Sequence, residues 1–239
     1  FAPHPSELVI TGGTHVPFSP PFHYLERVFL PGLQKLGGEA RLELERWGFY
    51  PRGGGLIRGR ITPCRGLQGV QLRTRGGLKR LQLAACSSDS LPGHIARREI
   101  AHLEMRLAGY RERIRSETSV CRTASPGNFV FLQAVYQHGT AGFSGLGRRG
   151  LPAEEVAEEA YSSFAAFEGT EATVDSHLAD QLILYAALAK GDSCFVAEKV
   201  TGHLLTNIEI IRKFLPAAID LDRATGEVRV RGAGFTARA

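Results

Sequence analysis

"TGHLLTNIEIIRKFLP", residues 201–216, decides how this chain is read. Leu204, Leu205, Ile208, Ile211, Phe214 and Leu215 recur at three- and four-residue spacing, and Pro216 ends the pattern. From Leu204 onward the spacing predicts an amphipathic helix. "SCFVAEKV" before it reads as a strand, and "AAIDLDRATGEVRVRG" after it as a hairpin turning at Thr225-Gly226. Strand, helix and hairpin in that order belong to an α+β fold. His203 falls in or just before the first helical turn, where free backbone N–H groups and the helix dipole make the end positive. Such a place welcomes an anion and favours a neutral, nucleophilic imidazole. It equally suits a histidine that only caps or packs the helix start.

Working outward, "SELVITGGT" (6–14) reads as a strand entering a glycine turn, and the prolines of "HVPFSPPFHY" forbid a regular element. "YLERVFLPGLQKLG" predicts a helix with an interior Pro31, then "EARLELERWGFY" a strand that "PRGGG" turns into the strand "LIRGRI". Further on, "LKRLQLAACS" and "NFVFLQAVYQ" read as strands. "GHIARREIAHLEMRLA" and "PAEEVAEEAYSSFAAF" read as helices, and "TAGFSGLGRRG" as a glycine-rich loop. "HLADQLILYAALA" is a helix. The order predicts one α+β domain interrupted by a smaller α/β unit.

The chain has 239 residues and a net charge of +5, enough for a sizeable core and a mild pointer to an anionic partner. From 41 to 80 the imbalance is stronger: ten Arg and Lys stand against only Glu43 and Glu45. Such a stretch is either a solvated strand face or a track for a nucleic-acid backbone. "LILYAALA" (182–189) is too short to span a bilayer, so no membrane association is expected. The start, "FAPHPSELVI", shows no secretory pattern and no initiator Met, which suggests a processed, trimmed or incomplete chain. Cys64, Cys86, Cys121 and Cys194 are scattered without CxxC spacing, which argues against zinc and disulfides and fits a cytoplasmic location, or a nuclear one in a eukaryote.

"GLGRRG" (145–150) imitates a dinucleotide fingerprint, but no strand is expected to lead into it. "YPRGGG" (50–55) can cradle a phosphate or simply turn a hairpin. The Pro-rich loop offers a flat apolar surface on which a purine can stack. "DSHLADQL" (175–182) puts His177, Asp180 and Gln181 near one helical face, where Asp and Gln can read a base edge or ribose hydroxyls. It also suits an N-cap by Asp175 or Ser176. No metal ligand set is complete, no GxSxG elbow or Walker A loop is present, and Cys121 has no evident partner.

Taken in order, "ITGGTHVPFSPPFHYLERVFLP", "RWGFYPRGGG", "HLADQL" and "GHLLTNIEIIRKFLP" resemble the RNA 3'-terminal phosphate cyclase family over nearly the whole chain. The resemblance implies repeated β-α-β-α-β-β type units with a thioredoxin-like insert at residues 74–167, between core parts at 1–73 and 168–239. It implies an ATP-using ligase that converts an RNA 3'-phosphate end to a 2',3'-cyclic phosphodiester. The intermediates would be a histidine–AMP and an RNA-(3')pp(5')A, with a divalent metal, Mg²⁺ or Mn²⁺, assisting. His203 stands at the family's nucleophile. Pro20 and His177 stand where the adenine is sandwiched, with Tyr24 nearby, and Asp180 and Gln181 match the nucleotide-binding pair. Arg46 and Arg52 are the cations suggested for the RNA backbone. One departure stands out: family members begin with a further α+β unit bearing a GEGGG motif, which nothing here matches, so an incomplete chain is expected. A non-catalytic cyclase-like protein of ribosome assembly is the main alternative, against which His203 argues. An enolpyruvyl-type transferase sharing the fold is the third.

Overall fold

The computed structural model describes residues 1–237. It shows an α+β protein with three sheets. The first is antiparallel, in the order β1 (Ser6–Gly12), β3 (Gly55–Thr62), β2 (Glu39–Arg46). β1 is its edge, and Leu8, Val9 and Ile10 are 40–59% exposed. An apolar, unpaired edge of this kind is a template for further strand pairing.

Between β1 and β2 runs a helical segment made of α1 (Phe22–Tyr24), a π-helical stretch Leu25–Phe29, and α2 (Leu30–Lys35). The expected interior proline explains its irregularity. Pro31 lacks the N–H that would bond the Arg27 carbonyl one turn back, and Gln133 Nε2 supplies that bond instead at 2.7 Å.

The second sheet has the order β10 (Ala218–Leu221), β11 (Glu227–Arg231), β9 (Asp192–Val196), β4 (Gln71–Leu72). Two helices accompany it, α5 (Ser176–Leu188) and α6 (Gly202–Phe214). Phe195, Val228 and Val230 face Leu182, Ile183, Leu204 and Ile208 in one buried cluster. The hairpin turns at Gly226, whose φ of +74° is open to glycine and strained for other residues.

The third sheet runs β6 (Ile114–Cys121), β5 (Leu78–Ser88), β7 (Asn128–Tyr136), β8 (Thr140–Leu146). Here alternation along the strands serves two cores. Leu81, Leu83, Val130 and Leu132 pack beneath α3 (Ile95–Arg106) and α4 (Ala153–Glu168), while Ala84, Cys86, Phe129 and Phe131 join the cluster holding Tyr24 and α5. β7 is therefore apolar on both faces, as buried central strands are. Arg75 closes the base of this unit. Its guanidinium donates to the carbonyls of Phe167, Glu168 and Ala172 and stands 4.7 Å from the Phe167 ring centre, tying the chain that enters the sheet to the chain that leaves α4.

Two sequence expectations need correction here. The glycine-rich "loop" at 140–150 begins as the strand β8, because seven residues pair with β7 despite weak strand propensity. A strand therefore does lead into "GLGRRG", yet its glycines serve packing. A Cβ on Gly145 would lie 2.0 Å from the Val156 carbonyl oxygen, and one on Gly147 would lie 1.7 Å from Asn128 Oδ1. β6 went unrecognised because "IRSETSVC" is largely polar and exposed, as suits an edge strand.

Glu99 on α3 is fully buried, with Asn128 donating to one carboxyl oxygen and no protein partner on the other among the described residues. Burial pushes its carboxyl from about 4.5 up to about 8, only partly opposed by Asn128. A raised carboxyl contributes stability that is complete below its unfolded value and lost as pH rises through the folded one. Glu99→Gln is therefore expected to remove a fall in stability between pH 4.5 and 8. At pH 8 it should raise stability by on the order of 4 kcal/mol. Urea unfolding of both proteins at pH 5 and pH 8 checks this: a difference independent of pH would contradict it.

Candidate nucleotide-transfer site

α5 and α6 lie side by side and present their amino ends to solvent together. Each is capped as its sequence directs. Asp175 accepts from the amides of His177 and Leu178 at 3.1 and 3.0 Å, and Thr201 Oγ1 accepts from the Leu204 amide at 3.0 Å. The two ends are then stitched together. Thr201 Oγ1 donates to Asp180 Oδ1 at 2.7 Å, and Asn207 Nδ2 donates to the Asp180 carbonyl at 3.0 Å.

His203 is the second residue of α6 and is exposed, as is His177 on α5. Asp180 is half-buried between them. Burial pushes its carboxyl up, while the Thr201 hydroxyl and the two nearby imidazoles pull it down. That mutual influence puts His177, Asp180 and His203 in one neighbourhood. Gln181 follows with a buried Oε1 that has no partner among the described residues, an acceptor left open.

Beneath this surface lies the buried carboxylate of Asp175. Asp175 is 1% exposed and, besides its two helical amides, accepts from Tyr24 Oη at 2.5 Å and from the Gly142 amide at 3.2 Å. Burial pushes its carboxyl upward, against the pull of these donors. Burial and the same carboxylate together hold the Tyr24 phenol well above its ordinary range. Tyr24 is itself 3% exposed, so it reaches the site through Asp175 and through its ring, which meets His177 edge-on at 5.9 Å.

Pro20 lies exposed in the loop between β1 and α1. In the same loop Phe18 is fully exposed at a φ of +63°, a left-handed backbone that a bulky residue rarely adopts. Below the loop runs a buried polar chain. The Gly48 amide donates to Thr14 Oγ1, Thr14 Oγ1 and His15 Nδ1 share a hydrogen bond at 2.8 Å, and His15 Nε2 and His23 Nδ1 share another at 2.9 Å. Burial lowers His15 to about 2 and His23 to about 3, so both rings are neutral across the physiological range. His15 stacks on Trp47 at 4.1 Å.

Arg46 and Arg52 stand apart from this group, at the turn between β2 and β3. Arg46 Nε donates to the Gly54 carbonyl at 2.5 Å, and the Arg52 amide donates to Ser125 Oγ at 3.1 Å. Cys121, without an evident partner in the sequence, lies beside Cys86 of the neighbouring strand, and both thiols reach the Ser87 carbonyl. The hydrogen bond with Cys86, and after it burial, push the Cys121 thiol up, the reverse of nucleophile activation. All four cysteines are free.

The residues that sequence reasoning passed over are Thr201, Asn207, Trp47 and Arg122. Thr201 carried a legible signal as a Thr three residues before an apolar run, and Asn207 lies one turn beyond His203 on the same helix face. Trp47 and Arg122 carried none, because what joins them is tertiary.

An exposed histidine at a capped helix end, near a carboxylate and a second imidazole on an α+β scaffold, is an arrangement chemically able to handle an anion or to act as a nucleophile. Comparison with known proteins places it further. The family model for RNA 3'-terminal phosphate cyclase matches residues 1–221. The RNA 3'-terminal phosphate cyclase of Gloeothece citriformis is 41% identical over 222 residues, covering 91% of this chain and 62% of that protein. That of Ralstonia nicotianae is 41% identical over 234 residues, covering 97% and 66%. That of Nostoc punctiforme is 40% identical over 226 residues, covering 95% and 65%. This chain thus spans a little under two thirds of the length of these relatives. It belongs to the RNA 3'-terminal phosphate cyclase family.

Removing the Tyr24 hydroxyl strips one donor from a buried carboxylate. Tyr24→Phe is expected to cost on the order of 2 kcal/mol in urea unfolding, whereas His177→Ala, at an exposed side chain, should leave the midpoint within about 0.5 kcal/mol of the parent. Equal effects would show that Asp175 is not held by Tyr24.

Proposed function

We propose that this protein carries the nucleotidyl-transfer centre of an RNA 3'-terminal phosphate cyclase, with His203 as the nucleophile. The carrying observation is the exposed His203 imidazole at the amino end of α6, a helix start tied to Asp180 of α5 by the Thr201 and Asn207 hydrogen bonds. In the first step a ring nitrogen of His203 attacks the α-phosphorus of ATP, forming a P–N bond as pyrophosphate leaves. An oxygen of the RNA 3'-phosphate then attacks that phosphorus, freeing the imidazole and giving RNA-(3')pp(5')A. Attack of the vicinal 2'-hydroxyl on the 3'-phosphorus closes the ring and expels AMP. Splitting one displacement in this way lowers each barrier, and free amides at the helix end meet the charge that develops on the phosphate.

In this reading Pro20 and His177 flank the adenine, Asp180 and Gln181 hold the nucleotide, and Tyr24 positions His177 from below. Arg46 and Arg52 serve the RNA backbone. Residues 74–167 act as the insert and 1–73 with 168–239 as the core, a division supported by the separate cluster under α3 and α4. Among the described residues no three His, Cys, Asp or Glu side chains converge on a metal-sized site. Mg²⁺ or Mn²⁺ enters this reading as the companion of the nucleotide phosphates. No helix among the described residues is long and apolar enough to cross a membrane. A cytoplasmic location is proposed with the function, supported by the free cysteines and the bacterial relatives.

Intact mass after incubation with ATP and Mg²⁺ or Mn²⁺ tests the nucleophile. An acid-labile, AMP-sized adduct is expected on the parent chain and not on His203→Ala. An equal adduct on both proteins, or none on the parent within a full-length relative's sequence context, would overturn the assignment.

A further inference from the structure

A cavity of about 650 Å³ opens between the β2–β3 hairpin and the loop that follows β6. Glu45, Arg46, Trp47, Gly54 and Leu56 line one side, and Cys121, Arg122, Thr123 and Ala124 the other. Its walls are fixed by close packing. Gly127 presses so near the Phe49 ring that a Cβ there would lie 2.3 Å from it, and the Arg52 amide is bonded to Ser125. The cleft is a lasting feature of how these two segments meet.

We propose that this cleft binds one nucleotide of single-stranded RNA, with Arg122 and Arg46 meeting the backbone and Trp47 lying against the base. The choice of RNA rests on the cyclase reading; the cleft itself does not. Its volume is that of a small-ligand site and suits a nucleotide. Its chemistry is an aromatic surface between cations, the combination by which sequence-tolerant single-strand sites work. His15 covers one face of the half-buried Trp47 indole, and part of the same side chain lines the cleft. Arg46 is pinned through Nε to Gly54, which leaves its terminal nitrogens free among the described residues. Arg122 is exposed and has no ion-pair partner among them. The one carboxylate in the lining, Glu45, is neutralised by Arg58. Because Arg122 comes from the sheet unit under α3 and α4, that unit contributes directly to substrate binding.

Trp47 is the chain's single tryptophan, so its fluorescence reports the cleft without labelling. The probe is an oligoribonucleotide of about eight residues with a 3'-phosphate. It is titrated in the absence of ATP into the parent, Arg122→Ala and, as a control on α3, Arg97→Ala. The expected result is saturable quenching in the parent, weakened roughly five- to ten-fold in Arg122→Ala, with a salt dependence shallower by about one counterion. Arg97→Ala should match the parent. No quenching in the parent, equal affinity in Arg122→Ala, or quenching by inorganic phosphate alone would each overturn the proposal. Adenylylation of the parent, read by intact mass, separates the two readings. Quenching without an adduct keeps the cleft and loses the cyclase reading, and an adduct without Arg122-dependent quenching does the reverse.

Discussion

The buried carboxylate of Asp175 is the constraint on which the arrangement turns. It accepts hydrogen bonds from the Tyr24 hydroxyl, the Gly142 amide and two amides of α5. Those donors come from three separate parts of the chain: the irregular helical segment, the edge of the third sheet, and the helix that carries His177. A carboxyl with almost no solvent exposure is costly unless each oxygen is satisfied. The geometry that satisfies it therefore fixes all three segments at once, and removing any one donor leaves a buried acceptor short. This makes one residue both a helix cap and the junction of the two cores.

The site surface inherits its order from that junction. Asp175 sets where α5 begins, and the Thr201–Asp180 and Asn207–Asp180 bonds set where α6 begins relative to it. Two imidazoles are thereby presented to solvent on neighbouring helix ends. The opposite treatment is given to His15 and His23. Burial keeps them neutral, and their hydrogen bonds run inward from the Gly48 amide, so they stiffen the Pro-rich loop from beneath. Four histidines in one region thus divide by solvent access alone, two as structural groups and two as exposed ones.

Much of this was legible from periodicity. The apolar spacing after Leu204 gave α6, Asp175 before "SHLADQL" gave the cap of α5, and Thr225-Gly226 gave the hairpin. Failures came where pairing outweighed composition. β8 is rich in glycine, yet it is a strand because β7 supplies its hydrogen bonds and because α4 must approach Gly145 closely. β6 is polar because an edge strand has little to bury. Pro31 suggested an interrupted helix, and the repair of that interruption by Gln133 was invisible, since the two residues lie about a hundred positions apart.

By itself, then, the sequence determined the α+β class, the helix that carries His203 and the motif order that marks the family. These depend on interactions within a few residues, where spacing and residue type translate directly into geometry. The tertiary structure alone decided that Asp175 would join Tyr24 to Gly142, that His15 would stack on Trp47, and that Arg122 would face Arg46 across a cleft. Those pairings follow from how sheets and helices share buried surface. Burial is a property of the whole packed chain, so no local pattern can announce it.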